Sequence, residues 1–304
     1  MRSGRAVARG CPRWSYHGQY GCLFLLARAD FRYLSRRLHP TRSHRLLARY
    51  LLDGATHYGL EDGPRYLRLT GPPWLGGVPA GPLDDAARCE RLTPCEPTKI
   101  VCVGLNYVEH VRESLTVVPG ATEPPNEPLL FLKPPSSALP PGGTIRWPAG
   151  VERLDPEGEM ALVVGRRASA VSEADALGCV AGVTAFNDVS ARNWQKGDGQ
   201  WTRAKGHDTF APFGPGIALG LSPLDLALEL RVNGETRQKT RTSAMHFGPA
   251  FLVHWISRHF TLEPGDVIAT GTPAGIAPLS PGDRIELELE GVGVLVNRVG
   301  GREA

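Results

Sequence analysis

The chain has 304 residues, 36 of them Gly and 27 Pro. That length carries a sizeable core in one large domain or two unequal ones, and so many turn formers suit a β-rich or mixed fold better than a helical bundle. No apolar run reaches the roughly 18–20 residues of a membrane span, and the six cysteines (Cys11, Cys22, Cys89, Cys95, Cys102, Cys179) form no CxxC pair, which argues for reduced thiols in a cytoplasmic protein rather than a disulfide frame or a zinc site.

The net charge of +3 is unevenly spread. Residues 1–45 hold ten Arg, no Lys and one acid, Asp30, which makes +9 and leaves −6 for the remainder. A basic tail points to nucleic acid or to a targeting peptide. No RNA-binding motif accompanies it, and Arg outnumbers Lys 29 to 5 over the whole chain. No nucleic-acid partner is expected, and residues 1–45 read as a poorly ordered basic extension, with a transit peptide as the alternative.

From residue 45 the texture changes. RLLARYLLDGATHYGLEDGPRYLRLTG reads as three strands, with hairpin turns at Asp53-Gly54 and Asp62-Gly63. KIVCVGLNY is a buried strand running into a loop, NYVEHVRESL a short helix, and residues 116–128 a Pro-rich loop. PLLFLKPP and EMALVVG are apolar strands, and SEADAL is a short helix capped by Ser172. GCVAGVTAFND is a long strand ending in an acid, and LALELRVNGETRQ is a hairpin over Asn233-Gly234. GPAFLVHWISRHFTL is an apolar helix, GDVIATGTPAG a strand with a Gly-rich turn, and DRIELELEGVGVLVNRV a closing hairpin.

Three acids stand at strand ends inside apolar sequence: Glu157, Glu159 and Asp188. Strand positions two apart share a face, so Glu157 and Glu159 lie side by side and repel. A bound cation compensates this, or water on an edge strand does. An all-oxygen set suits a hard cation, Mg²⁺ better than Ca²⁺, with Mn²⁺ a fair substitute. His110 and Glu113 share a helix face, and a carboxylate that orients an imidazole makes it a better base toward water; the alternative is a surface pair. Lys205, in GQWTRAKGHDTF, is either an oxyanion stabiliser beside a metal or a solvated loop lysine. Thr272, in GTPAG, either helps to hold a carboxylate or belongs to a plain turn. His246, His254 and His259 lack metalloprotease spacing and read as helix-face residues. There is no P-loop and no GxSxG, and Pro212 and Pro215 break the only stretch resembling a dinucleotide loop.

Taken in order, KIVCVGLNYVEHVRES, PLLFLKPPSSAL, ERLDPEGEMALVVG, AGVTAFNDVSARNWQ, GQWTRAKGHDTF and LEPGDVIATGTPAG, over about residues 98–275, resemble the fumarylacetoacetate hydrolase family. The resemblance implies an α/β mixed, β-rich roll or barrel with flanking helices, usually a homodimer. Residues 46–95 look like the small N-terminal β module of bacterial members, and residues 96–304 like the catalytic domain. By the same resemblance Glu157, Glu159 and Asp188 are the metal ligands, for Mg²⁺ with Mn²⁺ or Ca²⁺ as alternatives. His110 and Glu113 are the water-activating dyad, and Lys205 stabilises an oxyanion or enolate. Gln195 positions substrate or water, Thr272 binds the substrate carboxylate, and Arg192 stands near metal and substrate.

The implied substrate is a small 2-oxo acid of acylpyruvate type, and the implied reaction is hydrolysis of a C–C bond. Isomerisation or decarboxylation of 2-hydroxy-2,4-dienedioate or oxaloacetate-like acids in aromatic catabolism is the alternative on the same site. The loop at 116–128 is expected to close over it as a lid. Two positions depart from the family: Pro156 stands where an aromatic is common, and Asn193 where an aspartate is.

Overall fold

The computed structural model describes residues 45–113 and 124–304; the basic extension through residue 44, and the 116–128 loop up to residue 123, lie outside the described residues. Two large sheets, with a two-stranded ribbon of Leu154–Asp155 and Ser190–Ala191, organise the described residues. In the larger, the strands lie in the order Pro79–Asp85, Arg65–Leu69, Ala55–Asp62, Arg45–Leu52, Ala211–Leu219, Val180–Asn187, Gly158–Val164, Val267–Ala269, Ile100–Gly104, Leu129–Lys133. The smaller runs Glu235–Arg241, Ala227–Val232, Arg284–Leu289, Gly293–Arg302, Thr144–Trp147. The first strands after residue 45 continue the large sheet, with Leu46 opposite Ala218 and Leu47 opposite Ile217. The β-rich mixed fold expected from the sequence is the one observed.

Local turn chemistry sets the hairpins. Asp53 and Gly54 both take positive φ (50° and 79°), as do Asn233 and Gly234 (53° and 82°), which matches the twist of the flanking strands. The second hairpin differs from the sequence expectation by one residue. Asp62 pairs with Arg65, so the turn is Gly63-Pro64. Pro64 has no N–H for a ladder and therefore falls in the turn.

All seven residues of Gly158–Val164 are buried. Met160, Leu162 and Val164 enter the core between the sheets with Leu228, Leu230, Leu287 and Leu289. Ala161 and Val163 pack on the opposite face with Leu47, Phe186, Phe213 and Ile217. Burial on both faces explains why the strand is apolar throughout rather than alternating. The helix Pro249–His259 starts on a proline, buries Leu252, Val253 and Ile256, and ends on Arg258 and His259.

One further expectation changes, and one alternative is decided. His246 precedes that helix rather than lying on its face. Lys205 belongs to a short helix, Thr202–Gly206, and is buried. Ala211–Leu219, which carries Pro212 and Pro215, is a central strand of the large sheet, and the ladder accommodates it with a register shift between Val183 and Ala185. Cys89, Cys95, Cys102 and Cys179 are free thiols. Among the described residues no helix is long and apolar enough to cross a membrane.

Candidate active site

Strand register builds the acidic centre. Gly158–Val164 and Val180–Asn187 run antiparallel, with Glu159 opposite Phe186 and Gly158 opposite Asn187. The Asp188 N–H then donates to the Glu157 carbonyl at 2.8 Å. Residues two apart share a face, so Glu157, Glu159 and Asp188 all emerge on the side of Phe186. Each offers a carboxylate oxygen within 4.8 Å of the other two, and all three residues are buried.

The three carboxylates have different partners. Arg192 donates from Nη2 to Glu157 Oε1 at 2.6 Å, from Nε to Asp155 Oδ2 at 2.8 Å and from Nη1 to Gln195 Oε1 at 2.7 Å. Lys205 Nζ bridges Glu157 Oε2 at 2.9 Å and Asp188 Oδ2 at 2.5 Å. Lys133 Nζ donates to Asp188 Oδ1 from the far edge of the sheet. Glu159 receives the Gly271 N–H at 2.7 Å and forms no direct ion pair among the described residues. Burial favours the neutral form of both glutamates, but Lys205 and Arg192 outweigh it at Glu157, whose carboxyl lies far below the usual range. At Glu159 burial, Asp188 and Glu157 all push the carboxyl well above that range. Burial also works against the Lys205 ammonium, yet Asp188 and Glu157 hold it charged.

Three buried carboxylates converging on one point, one of them without a cationic partner, fit a hard divalent cation. The residues that would hold it are Glu157, Glu159 and Asp188.

The helix Val108–Glu113 supplies the His–Glu pair. His110 Nδ1 lies 3.3 Å from Glu113 Oε2. A carboxylate only accepts, so the contact places the proton on Nδ1 and the lone pair of a neutral ring on Nε2. Glu113 also accepts the Gly275 N–H at 3.1 Å. Burial pushes its carboxyl up, but His110 and the Gly275 and Ile276 N–H groups bring it below its ordinary value.

The GTPAG loop needs its glycines: Gly275 has φ +106°, and a Cβ there would stand 2.0 Å from the Arg237 carbonyl oxygen. Within that loop the Thr272 hydroxyl donates to Gly158 O at 3.0 Å and accepts from Gln238 Nε2 at 2.8 Å. One pocket is lined by His110, Glu157, Glu159, Asp188, Arg192, Gln195, Lys205 and Thr272, with Phe131 and Trp201 in its wall. Glu113 stands behind His110.

The profile of the fumarylacetoacetate (FAA) hydrolase C-terminal family matches residues 99–300, which contain every one of these side chains. The chain belongs to the fumarylacetoacetate hydrolase family. Protein Rv2993c of Mycobacterium tuberculosis is 47% identical over 211 residues, 68% of this chain and 77% of that one. Oxaloacetate tautomerase FAHD2A, mitochondrial, of Bos taurus is 40% identical over 252 residues, 79% of this chain and 78% of that one. The crystal structure of 2-hydroxyhepta-2,4-diene-1,7-dioate isomerase from Mycobacterium marinum matches with a TM-score of 0.77 at 39% identity, over 85% of this chain and 98% of that one.

Within this family member, the two departures lie outside the acidic centre. Pro156 is buried in the short segment between the strands Leu154–Asp155 and Gly158–Val164. Asn193 bonds to Gly150 O and the Glu152 N–H, bracing a neighbouring turn. Sequence reasoning missed four residues. Asp155 holds Arg192, and Asn106 ties the strand–helix loop to Thr270 O and to Phe247. Gln238 accepts the Gly158 N–H at 2.8 Å and donates to Thr272 and Pro273. Lys133 reaches Asp188. Only Lys133 carried a signal, an ammonium inside the apolar run LLFLK.

Proposed function

We propose that the protein is a divalent-cation-dependent isomerase or tautomerase of small 2-oxo acids, moving a proton between carbon and an enol oxygen. The observation that carries this reading is the convergence of His110, Lys205 and three buried carboxylates on one pocket. Two relatives support it by name, the bovine oxaloacetate tautomerase and the Mycobacterium marinum isomerase.

A divalent cation at Glu157, Glu159 and Asp188 supplies Lewis-acid stabilisation of enolate charge. The residues around it do the rest. His110, with its lone pair on Nε2, takes the proton from carbon and delivers it to the enol oxygen, or the reverse, and Glu113 stabilises the imidazolium formed. Lys205, kept charged by its acidic neighbours, donates to the developing oxyanion. Gln195 has its Oε1 engaged by Arg192, so it offers its amide N–H groups to substrate. Arg192 acts by holding Glu157 and Gln195 in place, and the GTPAG loop around Thr272 receives the substrate carboxylate.

The buried charges suit an anionic ligand. Asp155, Glu157, Glu159 and Asp188 face the buried Lys133, Arg192 and Lys205, with the half-exposed Arg153 on Asp155 at the rim. Adding a divalent cation makes this cluster net positive.

Hydrolysis of a C–C bond in an acylpyruvate is the second reading, favoured by the Glu113-oriented imidazole, which suits activation of water. One experiment separates the two. Protein stripped with EDTA is assayed with and without Mg²⁺ for ketonisation of enol-oxaloacetate and for pyruvate release from acetylpyruvate. Mg²⁺-dependent ketonisation without pyruvate supports the tautomerase, and Mg²⁺-dependent pyruvate release moves the assignment to the hydrolase. Neither activity in folded, metal-loaded protein refutes both.

A further inference from the structure

Lys133 is buried, with a relative exposure of 1%, and plays no part in the chemistry above. It ends the edge strand Leu129–Lys133, on which it stands opposite Ile100. Its ammonium has three protons, and three acceptors surround it: Asp188 Oδ1, the Phe210 carbonyl at 2.6 Å and the Val189 carbonyl at 3.3 Å. Two of those acceptors are backbone and cannot follow a moving side chain. Lys133 is therefore a fixed clamp on one oxygen of Asp188.

The other two carboxylates of the centre are treated alike. Glu157 has Oε1 held by Arg192, and Glu159 has Oε2 held by the Gly271 N–H. Each of the three thus has one oxygen committed to Arg192, Lys133 or a backbone N–H, and each offers a carboxylate oxygen within 4.8 Å of the other two. Lys205 touches the second oxygens of Glu157 and Asp188, but it does so from a helix in the pocket wall. Carboxylates limited to one oxygen suit a six-coordinate ion such as Mg²⁺ or Mn²⁺. Ca²⁺ takes more oxygens at longer distance and uses bidentate carboxylates readily.

We infer that Lys133 is a positioning residue that restricts Asp188 to a single metal-facing oxygen and so sets the preference of the site for small divalent cations over Ca²⁺. This rests on the divalent-cation reading of the acidic centre. Lys133→Met keeps the buried stem and removes the ammonium, freeing Asp188 Oδ1. Lys133→Gln keeps a donor for Phe210 O or Val189 O while removing the charge.

The test is calorimetric titration of EDTA-stripped protein with Mg²⁺, Mn²⁺ and Ca²⁺. Wild type is expected to favour Mg²⁺ and Mn²⁺. In both variants the ratio of Ca²⁺ to Mg²⁺ affinity is expected to rise about tenfold or more, the scale on which partners of metal ligands act. Damage to the fold alone weakens all three ions together and leaves that ratio unchanged. A Mn²⁺-soaked crystal of the wild type decides the matter even where neither variant folds: Asp188 is expected to bind through one oxygen with Lys133 still on the other.

An unchanged ratio in a folded variant, a wild type that prefers Ca²⁺, or a bidentate Asp188 overturns the role of Lys133 and leaves the cation site standing. A folded wild type that binds none of the three ions overturns the cation site and this inference with it.

Discussion

The backbone N–H of Asp188 donates to the carbonyl of Glu157 at 2.8 Å, one step beyond the last paired residues of their two strands. That bond carries the register past the end of the sheet and puts the two carboxylates on one face. The repulsion built into the Glu157–Gly158–Glu159 stretch is thus increased by a third acid, and the centre needs positive charge from elsewhere. Lys205, Arg192 and Lys133 supply part of it.

Glu159→Gln tests the centre most directly. The carboxyl is buried, repelled by Asp188 and Glu157, and among the described residues bonded only to the Gly271 N–H. The variant is expected to lose retained divalent cation after dialysis, by elemental analysis, and to lose activity by about a hundredfold or more. Without added metal its thermal midpoint should equal or exceed that of wild type, because an isosteric amide replaces a carboxyl whose ionisation burial and its acidic neighbours oppose. A clear drop in that midpoint contradicts the electrostatic account.

His110→Ala separates base from metal. His110 is held by Glu113 on a different element from the three carboxylates, so the variant should keep its cation while kcat falls by roughly 10²–10⁴. Glu113→Gln should lose less, since it spoils the orientation of the ring but leaves the base in place. Equal cation loss in His110→Ala would show that the two halves of the site are not separable.

Gln238→Ala removes three hydrogen bonds at once and leaves the buried Gly158 N–H without its acceptor. The expected cost is about 1–3 kcal/mol in denaturant unfolding. Because Gln238 sets the Thr272 loop, KM should rise more than kcat falls, with metal content unchanged. An effect confined to kcat would place Gln238 nearer the reacting atoms than its contacts indicate.

A pH-linked prediction lies far from the pocket. Arg68 holds the Asp84 carboxyl below its ordinary value of 3.8, against the upward push of burial and with help from the Tyr50 hydroxyl. A depressed folded-state value adds stability that is fully present above 3.8 and disappears as pH falls through the folded value. Asp84→Asn should therefore lower the thermal midpoint at neutral pH, and its deficit should shrink under acid. A deficit independent of pH refutes the linkage.

The residues that sequence reasoning reached are those whose chemistry is local. Glu157 and Glu159 share a face because a strand alternates, and His110 and Glu113 meet because a helix turns. The hairpins at Asp53-Gly54 and Asn233-Gly234 follow from residues that accept positive φ. The family motifs located Gln195, Arg192, Lys205 and Thr272, and the structure brings all four to one pocket.

The tertiary structure alone decided which groups complete the centre. Lys133 meets Asp188 across 55 residues, and Gln238 meets Thr272 across 34. Gln238 lies in a strand, Glu235–Arg241, whose other residues are mostly exposed, so nothing local marks it as buried. Ala211–Leu219, with its two prolines, becomes a central strand because both neighbours supply ladders for it. Local backbone preference acts over a few residues, whereas strand order and register are settled by burying both faces of a sheet at once. That is why the chemical groups were legible from sequence, while their partners became visible only once the sheets were paired.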